Sequence, residues 1–222
     1  MGYELHITRA ESWADNDGKE ITADEWLELV SADPELRLAG YNGPYFAIWS
    51  GPSEYPDPWL DWFGGNISSK HPDSLLIEKM AQIAAKLGAK VQGDDGELYV
   101  GADDLNRLMW SLQALAQPAE AQVALFPKSS KVASKLWLDL ERSSEWFDAD
   151  GRGPANGSAK AWETVSDLRS QLQLMRGAGN DRLWTDDALR NERKWEAIRK
   201  AARRALAAFG WAAELPPKGW SE

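Results

Sequence analysis

Two histidines, His6 and His71, are the whole supply of side chains that titrate near neutral pH or offer imidazole to a metal, and cysteine is absent. Imidazole chemistry needs company: a nucleophile within hydrogen-bond reach, or further ligands converging on one ion. Neither histidine has such a motif beside it. His6 lies in an alternating stretch and His71 precedes a proline, so both read as hydrogen-bonded structural residues. Asp15, Asn16, Asp17 and Gly18 have the composition of a calcium loop, but placing Gly18 at its sixth position puts Trp13 where the first carboxylate belongs. Asp148, Ala149, Asp150 and Gly151 fail in the same way at Trp146. Both stretches read as turns. Gly64-Gly65 lacks the following helix and lysine of a phosphate loop and reads as a bulge or twist within a strand. The sequence therefore offers no catalytic residue, no metal ligand set and no cofactor motif, and points away from an enzyme.

Recognition chemistry is better represented. The stretch PSEYPDPWLDWF, from Pro52 to Phe63, sets stiff prolines beside Tyr55, Trp59 and Trp62 and the acids Asp57 and Asp61. Aromatic anchors next to charge, on a backbone with little entropy left to lose, suit a protein interface. Alternation in the same stretch sends one aromatic set to the core, so the acids are the better interface candidates. A second acidic group, Asp94, Asp95 and Glu97, falls in a turn. Asp57, Trp59, Asp61, Asp94, Asp95 and Glu97 are thus the expected partner-binding residues, the carboxylates steering a basic partner and the aromatics anchoring it.

Charge is distributed unevenly. The net charge is −10, yet residues 1–126 hold 8 basic and 21 acidic side chains, whereas residues 127–222 hold 17 and 14. An acidic front disfavours phosphate binding, and nucleic acid is not the expected partner. The basic run Arg190, Arg193, Lys194, Arg199, Lys200, Arg203 and Arg204 is the exception. Complementarity to the helix dipole and pairing of Glu196 with Lys200 account for most of it. For a nucleic-acid role, Arg193, Lys200 and Arg204 would have to share one exposed face without local acids as partners. The opening MGYELHITRAESW lacks the apolar core of a secretion signal, and no stretch reaches the roughly 18 apolar residues of a membrane span, so the expected location is the cytoplasm.

The elements that would position these residues follow from periodicity. Tyr3, Leu5 and Ile7 alternate with Glu4, His6 and Thr8 as a strand with one buried face. Thr22 and Glu25 form a capping box ahead of Trp26, Leu29 and Val30, in a helix ending near Asp33-Pro34. Strands are expected at Glu35 to Ala39, Tyr45 to Ser50 and Trp59 to Ser68. A helix capped by Asp73 runs through Leu76, Met80 and Ile83 to Gly88, before a hairpin of Ala89 to Gln92 and Glu97 to Val100. From Asp103 the period is helical: one helix to Pro118, then about Ser130 to Arg142, Ala159 to Arg176 and Asp186 to Phe209. The fold class is α+β, an antiparallel sheet with two helices followed by an all-helical half. The expected domains are residues 1–117 and 118–222, hinged at the proline-bearing Gln117 to Ser130, where AEAQVALF could instead add a strand.

The segments MGYELHITRAESW, ITADEWLELV, DWFGGNI and IAAKLGAKVQGDDGELY resemble a bacterial family of uncharacterised intracellular proteins that open on a similar YELHITR-type strand. The resemblance covers about the first hundred residues and carries no catalytic residue. Small acidic α+β proteins of this kind resemble immunity proteins, which neutralise toxins delivered between bacteria. The resemblance implies a protein-binding inhibitor that occludes a basic toxin or effector. Two other classes stay open: a hydrolase or transferase with a pocket between the halves, and a nucleic-acid-binding regulator using the basic final helix.

Overall fold

The computed structural model describes residues 3–127, 129–145, 153–155, 158–177 and 179–221. By contact the chain divides between Ala102 and Asp103 into two compact units. The helix after Ala102 thereby belongs to the second unit, since Leu108, Leu112 and Leu115 are buried in that unit's core.

The first unit is a seven-stranded antiparallel sheet with two helices. The strands are β1 (Glu4–Thr8), β2 (Leu36–Leu38), β3 (Phe46–Trp49), β4 (Trp59–Phe63), β5 (Asn66–Lys70), β6 (Lys90–Gly93) and β7 (Leu98–Tyr99), in the order β2-β3-β4-β5-β1-β6-β7. Helix α1 (Ala23–Ala32) starts on the expected capping box: Thr22 Oγ1 accepts from the Glu25 N–H at 3.2 Å, and the Thr22 N–H donates to Glu25 Oε2 at 2.8 Å. Helix α2 (Ser74–Leu87) is capped by Asp73, which accepts from the Leu76 N–H, and stops at Gly88 in the left-handed region. Both helices lay their apolar stripes, among them Trp26, Leu29, Met80 and Ile83, over Leu5, Ile7, Leu60, Ile67 and Val91.

Two readings of this unit need correction. The stretch Trp59 to Ser68 is not one strand: Gly64 (φ 58°) and Gly65 (φ 86°) form a two-residue hairpin turn between β4 and β5, with Phe63 opposite Asn66. Paired positive φ angles match the right-handed twist of a hairpin, which is why two glycines stand there. Neither is β1 buried on one face only. His6 and Thr8, on the supposed solvent face, are both buried.

Where α1 gives way to β2 the fold holds a buried charge cluster. Lys79 of α2 donates to both oxygens of Asp33 (3.1 and 3.0 Å) and to Glu35 Oε2 (2.7 Å), while Lys86 reaches Asp33 at 3.3 Å. Burial opposes the charge on Asp33, but the hydrogen bonds from Lys79, the Glu35 N–H and Lys86 outweigh it and hold the carboxyl below its ordinary range. The cluster fixes the turn that leads into β2.

In the second unit every regular element among the described residues is a helix. Its helices are α3 (Ala102–Ala116), α4 (Ala119–Leu125), α5 (Val132–Ser143), α6 (Ala159–Leu174), α7 (Asp186–Asn191) and α8 (Arg193–Phe209), with a 3-10 turn at Asp181–Trp184. AEAQVALF forms α4 and no strand. The stretch expected as one helix from Asp186 to Phe209 breaks at Glu192, whose backbone is extended. Leu189 and Trp195 would stand about 120° apart around a continuous helix, so a single rod would need an unusually wide apolar face to bury both. The break lets each reach 0% exposure. Trp195 Nε1 donates to the Leu183 carbonyl at 2.7 Å, and its ring meets Trp184 edge-on.

Candidate binding face

Sheet register decides what the first unit presents. Cross-strand partners project to the same side, so one row runs Phe46, Asp61, Ser68, His6 and Gln92 across β3, β4, β5, β1 and β6. Both helices pack on the opposite side. Over β1 and β6 the row is roofed by the loop after β1: the Trp13 ring stacks on His6 at 3.9 Å, the Trp13 N–H donates to Gln92 Oε1, and the Trp13 carbonyl accepts from Asn66 Nδ2. Over β3 and β4 the cover is aromatic. Phe46 and Ile48 are buried beneath Trp59, which stacks on Phe46 at 5.4 Å, and Tyr41 leans on Phe46 from the β2–β3 loop. Tyr41 is 71% exposed, and Phe63, on the same side of β4 as Trp59 and Asp61, is 83% exposed.

The six expected binding residues separate on this frame. Asp57, Trp59 and Asp61 come together along β4 and its entry. Asp57 is exposed with a positive φ of 52°, and its carboxylate stands 3.9 Å from Arg37. Trp59 is half-buried by its stack on Phe46, one ring serving both core and surface. Asp61 is half-buried between Phe46 and Ser68, and burial pushes its carboxyl above the ordinary value against one hydrogen bond from the Trp62 N–H. No cation pairs with it among the described residues.

The β6–β7 turn is arranged differently. Asp94 accepts from the Glu4 N–H at 2.9 Å and lies 3.1 Å from His6 Nε2, and the Glu4 bond chiefly holds its carboxyl low, against a smaller opposing effect of burial. It ties the turn to β1. Glu97 is half-buried near Tyr99, with Oε2 lacking a hydrogen-bond partner among the described residues. Asp95 is exposed. Asp94 and Asp95 are thus both exposed, Asp94 while bonded to Glu4 and His6, and Glu97 is half-buried.

His6 is 5% exposed, enclosed by Trp13 and bonded to Asp94, which is the structural setting expected of it. His71 has a positive φ of 48° and donates its N–H to the Tyr3 carbonyl at the end of β5. Among the described residues no three His, Cys, Asp or Glu side chains group as a metal site, and no helix is long and apolar enough to cross a membrane. On α8, Arg193, Lys200 and Arg204 are all exposed, but Lys200 pairs with Glu196 at 2.8 Å and Trp195 is wholly buried. The condition of free cations set by the sequence is met only in part.

Phe63 and Tyr41 were not singled out from the sequence. Phe63 carried a signal, since it alternates with Asp61 and Trp59 and so shares their side of the strand. Tyr41 had only its place in the loop Gly40-Tyr41-Asn42-Gly43, where large aromatics are uncommon. In comparisons with protein-family models, curated proteins and solved structures, nothing matches the chain.

Proposed function

We propose that this chain is a protein-binding inhibitor of the immunity type, which occludes a bacterial toxin or effector by stoichiometric docking of the helix-free sheet side. The observation that carries this reading is the exposed Phe63 beside Asp61 and Trp59 on that side, with Asp57 at the strand entry. Large rings with few rotatable bonds supply desolvated anchoring contacts, and neighbouring carboxylates complement a basic partner. The surrounding unit strengthens the bias. Residues 1–102 carry 7 Lys and Arg against 18 Asp and Glu, a field that accelerates encounter with a cationic surface.

Photocrosslinking tests it. A benzophenone amino acid placed at Phe63 in the full chain, irradiated in source cells expressing the effector repertoire, is expected to trap one protein at 1:1 stoichiometry. The same probe at Leu174, which is 78% exposed in the second unit, serves as the control. Adducts that are identical at the two positions, or none at Phe63, would overturn the proposal.

A further inference from the structure

Strand β2 is one edge of the sheet. Its hydrogen-bond parity is set by its neighbours: the Ala39 N–H donates to the Phe46 carbonyl and the Ser50 N–H to the Glu35 carbonyl, each at 2.8 Å. In an antiparallel pair such bonded residues alternate, so residues 35, 37 and 39 turn their backbone groups toward β3. Leu36 and Leu38 turn theirs away. The Leu36 N–H is taken up by the Asp33 carbonyl, while the Leu36 C=O and the Leu38 N–H and C=O have no backbone partner among the described residues. A donor and acceptors in strand spacing are thus left facing outward.

Alongside them runs an open groove of about 590 Å³ between α1 and β2. Leu27 and Val30 of α1 and Leu36 and Leu38 of β2 give it apolar walls, and Leu38 is 47% exposed. Two charged residues line it. Asp33 is consumed by Lys79 and Lys86, whereas Arg37 is 61% exposed with only the distant Asp57 for a partner. In register with Ile48 and Trp59, Arg37 projects to the other side of the sheet from Leu36 and Leu38, and it is the edge strand's available charge.

We infer that this edge takes an extended segment of another protein as an eighth strand, with alternate apolar side chains in the groove against Leu27, Val30 and Leu38 and an acidic side chain on the other side of the sheet opposite Arg37. Backbone pairing would supply adhesion and the alternate side chains selectivity, as in other edge-strand recognition. Short, charged edge strands also discourage promiscuous pairing. In this setting Arg37 acts as the selector, because like charges directly opposite destabilise a strand pair and unlike charges support it. The same rule disfavours a second copy of this chain, since antiparallel self-pairing centred on β2 would set Arg37 against Arg37. The groove lies on the helix side of the sheet, whereas Arg37 projects to the side of Trp59; the inference draws on the strand edge and does not rest on the proposed function.

The test uses the full chain and a fluorescein-labelled, end-capped heptapeptide alternating valine with glutamate, against a control with lysine in place of glutamate. Anisotropy titration is expected to show saturable binding with the glutamate peptide preferred. Arg37→Glu should invert the preference by about fivefold in each direction. Leu38→Pro should abolish binding of both peptides with an unchanged circular dichroism spectrum, because that N–H faces away from β3 and proline is tolerated at such an edge position. No saturable binding, or a preference unmoved by Arg37→Glu, would overturn the inference. So would sedimentation of the free chain as a dimer that Leu38→Pro dissociates, since the occupant would then be a second copy. Arg37→Glu lies on the surface and keeps the test decisive should Leu38→Pro fail to fold.

Discussion

Burial beside Phe46 and Ser68 raises the Asp61 carboxyl above its ordinary value, and no cation among the described residues offsets it. A raised carboxyl means that the folded state disfavours the charge it carries at neutral pH. The destabilisation is absent below the unfolded carboxylate value of about 3.9, grows as pH rises from there to the higher folded value, and is complete above it. Asp61→Asn should therefore raise the urea midpoint at pH 7 and leave it unchanged at pH 3, while weakening partner binding. An equal or lower midpoint at pH 7 would show that Asp61 is held by interactions that favour its ionised form. Stability lost for the sake of a surface carboxylate is the pattern expected of a binding residue. Sequence alone gave Asp61 its place on a strand but not this tension, because the neighbours that desolvate it lie on β3 and β5.

Among the elements, α1 shows how local chemistry and distant contacts combine. Arg9 donates to Glu25 at 2.7 and 3.1 Å, and this pair, followed by the bonds from the Thr22 N–H and hydroxyl, lowers the Glu25 carboxyl to about 2. A depressed carboxyl contributes stability above its unfolded value of about 4.3, and the contribution disappears as pH falls toward 2. Glu25→Gln is expected to lower the thermal midpoint at pH 7 and to match the unsubstituted chain near pH 2. Thr22→Ala should cost about 1 kcal/mol at neutral pH, read by urea denaturation. The capping box was legible because it is written within four residues. The Arg9 pairing was not, since it joins the end of β1 to α1. Likewise the periodicity of Trp195, Ile198 and Ala202 showed the core stripe of α8, but the break at Glu192 becomes visible only when Ala188 and Leu189 are seen to run out of phase with it. The Gly64-Gly65 turn was misread for a related reason. Two apolar alternations of equal phase look like one long strand unless both glycines are given positive φ.

At the scale of the molecule, the first unit contains all seven strands found among the described residues, two helices and a core of its own. A fragment of residues 1–102 is expected to unfold cooperatively with near-ultraviolet signals from Trp26 and Trp62; a gradual transition without them would contradict its autonomy. The α+β class and the change to helix after residue 102 were readable from hydrophobic period alone, and so was the acidic front. What the sequence left undetermined was which side of the sheet each acid occupies, because that depends on strand register: Asp94 turns back to the Glu4 N–H, while Asp57 and Asp61 flank exposed rings. Docking of a protein partner on the Phe63 side of the sheet can be read most directly by titration calorimetry of the photocaptured partner. The full chain should bind 1:1, with Phe63→Ala weakening affinity at least about fivefold and Arg204→Ser on α8 leaving it unchanged. Affinity unmoved by Phe63→Ala but reduced by Arg204→Ser would place the interface on the basic helix and contradict docking on the Phe63 side.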